Sequence, residues 1–112
     1  MRVIALVAAV LVSAPAQAAD IYETLQTPPK ATWQAANTDN LEYCVVLALA
    51  NRTRQAPTVA KRPGETVIVV HDWDSPVPGS KVQGLVTIKS GGLMEFRGAK
   101  DWLADLVAPC TR

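Results

Sequence analysis

The spacing of apolar residues changes along this chain, and each change marks a predicted element. Val3 to Val12 is unbroken apolar sequence behind the basic start Met1-Arg2, with small residues at Ala16 and Ala18. A charged start, an apolar centre and small residues before the cut are what an export machine and its peptidase read, so residues 1–18 are expected to be a signal peptide cleaved after about Ala18. The run is roughly half the ~20 residues that span a bilayer, which predicts removal rather than retention as an anchor. Residues 19–38 then read as a leading arm. Asp20 and Glu23 have the spacing of a helix-capping box, Thr27-Pro28-Pro29 stops the helix, and Ile21, Tyr22, Leu25 and Trp33 are the groups the arm has for docking.

From Leu41 to Asn51 two periods fit. With helical spacing, Leu41, Cys44, Val45, Ala48 and Leu49 form one stripe; with period two, Leu41, Tyr43, Val45, Leu47 and Leu49 line one face of a strand. Asp39 with Glu42 as a second capping box, and Ala48 and Ala50, favour helix. After Pro57 the text turns to strands. Thr58 to Ala60 is a short candidate, Lys61-Arg62-Pro63-Gly64 a turn, and β-branched Thr66 to Val70 the surest strand. Lys81 to Lys89 follows, with Val82, Val86 and Ile88 expected on one face. Ser90-Gly91-Gly92 supplies the positive φ of a tight hairpin, and Leu93 to Arg97 returns with Met94 and Phe96 sharing a face. Trp102, Leu103, Leu106 and Val107 recur at helical intervals, and Pro109 ends that helix.

The predicted fold class is α+β: a small antiparallel sheet of three or four strands, with an N-side helix and a C-terminal helix packed on one face, in the order α-β-β-β-α. The alternative, if residues 41–51 are a strand, is a small β-sandwich with a C-terminal helix. Val67 to Val70 is apolar on both faces, so the second sheet face is expected to meet the leading arm, a ligand or another subunit.

Charge removes partner classes. Eleven Lys and Arg stand against ten Asp and Glu, and loss of Arg2 with the leader leaves the remainder balanced. A neutral exported domain has no long-range field to draw it to nucleic acid or to an anionic membrane. About 94 residues make one domain with a core marginal by size alone. Such domains are usually stapled, and two cysteines, Cys44 and Cys110, are present. In an oxidising compartment they read as a disulfide, and residues 39–112 as a single domain stapled by it. No Cys-x-x-Cys motif and a single His argue against a redox pair or a zinc site, so no metal and no cofactor are expected. No cysteine at the end of the leader offers a lipid attachment point.

The pattern Leu41-Glu42-x-Cys44-Val45, then Pro57-Thr58-Val59, a strand pair around Gly91-Gly92 and a late Cys110 resembles small secreted bacterial two-cysteine proteins of unassigned function. The resemblance covers most of the mature chain and implies the helix and the cysteine bridge. It carries no activity.

One cluster holds candidate chemistry: His71, Asp72 and Asp74, with Trp73 and Ser75, at the end of the best strand. Alternation along a strand puts His71 with Trp73 and Asp72 with Asp74, which separates base from carboxylate. Calcium would need further oxygens where Pro76 stands. Recognition suits the segment better, because Pro76 and Pro78 stiffen a loop that presents Trp73, and a stiff loop loses less entropy on binding. Arg52, Arg54, Lys61 and Arg62 form a local basic patch of the kind that is usually a solvated face. The leading expectation is therefore a small periplasmic or secreted protein without catalytic residues that acts by binding another exported protein or envelope component, as an accessory or inhibitor. The runner-up is a small envelope hydrolase using His71 with Asp72 or Asp74, and a third reading is a structural subunit that pairs through its sheet.

Overall fold

A computed structural model describes residues 16–71 and 82–112, with side chains from Ile21 onward. The leader residues 1–15 and the Asp72, Trp73, Asp74, Pro76 and Pro78 segment lie outside the described residues. The elements in chain order are α1 (Ala16–Gln26), β1 (Ala31–Gln34), α2 (Leu41–Thr53), β2 (Thr58–Arg62), β3 (Glu65–His71), β4 (Val82–Lys89), β5 (Leu93–Arg97) and α3 (Trp102–Val107), followed by a 3₁₀ turn over Ala108–Thr111. All strand pairs are antiparallel, in the order β1-β5-β4-β3-β2. The chain is thus α+β, with five strands rather than three or four, and in the order α-β-α-β-β-β-β-α.

Residues 41–51 are helical, which removes the β-sandwich. The stripe Leu41, Val45, Leu49 and Thr53 is buried. The expected capping box does not form: Asn40, at φ 62°, precedes the helix without a side-chain cap, and Asn37 Oδ1 accepts from the Asp39 amide at 2.8 Å. At the other end the buried Thr53 hydroxyl donates back to Leu49 O at 2.8 Å, which satisfies a polar group inside the core. Asp20 likewise lies inside α1 rather than at its cap, because that helix begins at Ala16.

β1 has no place in the expected order. Ala31 and Trp33 face the core while Thr32 and Gln34 face out, and the strand pairs Ala31 with Phe96 and Gln34 with Leu93. Lys30 N–H to Phe96 O (2.8 Å) and Ala35 N–H to Gly92 O (2.9 Å) extend the ladder past the strand at both ends.

Two apolar clusters flank the sheet. Under α2 and α3 lie Ile68, Val70, Val86, Met94 and Phe96 with Leu103 and Val107, and the partly buried Ile88 packs against them. Here the Cys44–Cys110 disulfide joins α2 to the 3₁₀ turn, with Cα atoms 5.8 Å apart. On the opposite face Val67, Val69, Val82 and Leu85 are covered by Ile21 and Leu25 of α1, so the leading arm is the occupant of the second face. Tyr22 stays exposed, and Trp33 serves the other core.

Val82 differs from expectation in facing this second cluster rather than joining Val86 and Ile88. The register shifts at Val70/His71, where Val70 pairs with Gly84 and His71 with Val82, leaving Gln83 as an extra residue. One extra residue reverses every side chain beyond it. The Gln83 carbonyl then accepts from the Ala99 and Lys100 amides, both at 3.1 Å, and anchors the approach to α3. Gly98 makes this possible. Its φ is 138°, and a Cβ there would stand 2.6 Å from Gln83 O and from Gly84 Cα.

Candidate functional site

The second sheet face changes character along its strands. Near the middle it presents Val67, Val69 and Leu85; toward the β2–β3 and β4–β5 connections it presents Glu65, Thr87, Lys89, Glu95 and Arg97. Cross-strand pairing puts these side chains together: Glu65 is opposite Lys89, Thr87 opposite Glu95, and Leu85 opposite Arg97. Arg62 joins them across the two-residue connection Pro63-Gly64, where it pairs with Glu65. A recess of about 250 Å³ forms here, walled on one side by Tyr22, Leu25 and Gln26 of α1.

Its ion pairs converge on the carboxylates. Glu95 Oε1 receives Arg97 Nη1 at 3.3 Å, Lys89 Nζ at 3.4 Å and the Thr87 hydroxyl at 3.4 Å. Arg62 Nε donates to Glu65 Oε1 at 2.7 Å. Arg97 also donates from Nε to Thr27 O at 2.8 Å, which ties the segment after α1 to β5. Burial pushes the Glu95 carboxyl upward, but hydrogen bonds and charge from Arg97 and Lys89 outweigh it and hold the group below its ordinary value.

The depth of the charges is unequal. Glu65 and Glu95 expose 12% and 13% of their side chains, whereas Arg62 and Lys89 expose 68% and 44%. Glu65, Glu95 and Arg97 form the floor, and Arg62 and Lys89 the rim. With three cations against two carboxylates, the face offered to an incoming group is positive. Held below its ordinary value, the Glu95 carboxyl is a hydrogen-bond acceptor for its neighbours rather than a proton donor.

His71 lies at the far end of β3, six residues and roughly 20 Å of strand from Glu65. It is half-buried, and its intended partners Asp72 and Asp74, like the recognition residues Trp73, Pro76 and Pro78, lie outside the described residues. Among the described residues no three His, Cys, Asp or Glu side chains come together as metal ligands do. The basic patch is broken up by the fold. Lys61 Nζ pairs with Glu42 at 3.0 Å, Arg62 turns to Glu65, and Arg52 lies over the Trp102 ring at 5.1 Å.

Sequence reading missed the recess because each strand was read for its apolar face alone. The signal was in the alternate positions: Glu95 and Arg97 alternating with Met94 and Phe96, Thr87 and Lys89 beside Ile88, and Glu65 at the start of β3 put both signs of charge on one face of adjoining strands. Among the described residues no helix is long and apolar enough to cross a membrane. Comparison of the chain with protein-family models, curated proteins and solved structures finds no match.

Proposed function

We propose that this is a small exported protein that acts by binding rather than by catalysis, and that the recess beneath α1 receives a carboxylate or phosphate group of an exported protein or envelope component. The observation that carries this reading is the layering of charge, with covered Glu65 and Glu95 under the exposed cations Arg62 and Lys89. The buried carboxylates orient the cations, so less side-chain freedom remains to be lost when an anion arrives. Tyr22 and Gln26 add hydrogen-bonding groups on the α1 wall. A surface of this kind is salt-sensitive and selective for charge.

The Cys44–Cys110 bridge accords with an oxidising compartment, and the leader motif supplies the route to it. The test is affinity capture from an envelope extract with wild-type protein and an Arg62→Gln/Lys89→Gln double variant. Wild-type protein is expected to retain a partner at low salt, release it as salt rises, and lose it in the double variant. Equal retention by the variant, or no retention by wild type, refutes the reading.

A further inference from the structure

β2 is an edge strand whose five residues are all exposed. Among the described residues its strand partner is β3 alone. Arg62 and Glu65 bracket a two-residue connection and pair with each other, so they exchange both hydrogen bonds, and alternation turns the amides of Ala60 and Thr58 inward as well. The N–H and C=O groups of Val59 and Lys61 therefore point out of the sheet. Pro57 and Pro63 stand three positions to either side of Ala60 and bound the free edge symmetrically.

We infer that this edge pairs with the same edge of a second copy of the chain, antiparallel about a two-fold axis at Ala60. In that register Val59 lies opposite Lys61 of the other copy and exchanges two hydrogen bonds with it, and the symmetric pair repeats this. Ala60 meets its own mate at a narrow, non-hydrogen-bonded position, where a methyl group fits.

Two further observations favour a second copy over a foreign strand. Lysine and arginine at an edge normally repel a mate, but here Lys61 is paired with Glu42 and Arg62 with Glu65 inside the same chain. An acidic foreign strand would find Lys61 already held by Glu42, while a second copy brings its own compensation. The Lys61–Glu42 pair also sets α2 beside this edge, on the face where Val59 points. Val59 is 38% exposed on that face. A two-fold axis perpendicular to the sheet keeps both α2 helices on one face and brings the two Val59 side chains to the same side of the joint. Slip by one residue would send Val59 and Lys61 to opposite faces and break the match.

Sedimentation of the oxidised protein tests this. Wild type is expected to approach twice the monomer mass as concentration rises. Lys61→Pro removes an outward N–H without touching the β2–β3 ladder and should stay monomeric, while Lys61→Ala, which keeps the N–H, should behave as wild type. Monomeric wild type at about 1 mM, or association of Lys61→Pro equal to wild type, overturns the proposal. A second readout holds if Lys61→Pro misfolds. Ala60→Cys should give a disulfide-linked dimer with the Cys44–Cys110 bridge intact, faster than Thr58→Cys; equal rates overturn the inference too.

Discussion

At the residue scale the molecule turns on Glu95. It is the shared acceptor of Arg97, Lys89 and Thr87, and its lowered carboxyl pKa means that the folded state favours the ionised form. A depressed carboxyl stabilises the fold above its unfolded value and loses that contribution as pH falls through the folded value. Arg97→Met should raise the Glu95 carboxyl in a carbon-detected NMR titration and cost about 1.5–3 kcal/mol near neutral pH, the range for hydrogen bonds to charged groups. The difference between wild type and variant in urea midpoint should shrink once acid has protonated Glu95 in both. A constant difference across pH would mean that Arg97 acts by packing alone. Sequence made the types of these residues plain but not their convergence, since charges on strands usually mark the wet face of a sheet. Here that face is half covered by a helix.

Elements succeeded or failed in the sequence according to length and context. α2 and α3 were legible because their buried positions, Leu41, Val45 and Leu49 in one and Leu103 and Val107 in the other, keep the helical interval. β3, β4 and β5 were legible from β-branched runs and from Gly91 and Gly92, whose φ values of 88° and 90° close the hairpin. β1 was not. Four residues with a single alternation cannot outweigh Pro28-Pro29, and the strand exists because β5 offers an edge beside it. The inverted Val82 was equally hidden, because a bulge leaves no mark in a period-two pattern. α1 stands between these cases: its apolar pair Ile21 and Leu25 is visible, but what it covers depends on the sheet. Leu25→Ser should loosen α1 from Val67, Val69 and Leu85 and cost about 1–3 kcal/mol of burial. Hydrogen exchange should show faster exchange in α1 with the β3 amides still protected. Protection of α1 equal to wild type would place its attachment elsewhere, at the Arg97–Thr27 hydrogen bond.

For the whole molecule, the sheet divides two environments. One face carries the larger core under α2 and α3; the other carries a smaller apolar patch and the charged recess under α1. The staple belongs to the first face. A bridge across 66 residues contributes roughly 4 kcal/mol in the chain-entropy picture, less where the reduced chain retains structure. The Cys44→Ala/Cys110→Ala variant should therefore melt well below wild type, with the recess unchanged in its response to salt, because the bridge lies on the opposite face. A loss of stability under about 1 kcal/mol would show that the core under α2 holds without it.

The bridge also has a temporal meaning. Cys44 precedes β2, β3, β4 and β5 along the chain, and Cys110 follows them all. On the export route proposed above, the first thiol waits unmatched while β2, β3, β4 and β5 emerge into an oxidising space. With just two cysteines in the chain, any premature disulfide joins separate molecules, not wrong positions within one. Under that proposal, export rate and oxidant strength, rather than isomerase activity, govern the yield of correctly linked monomer.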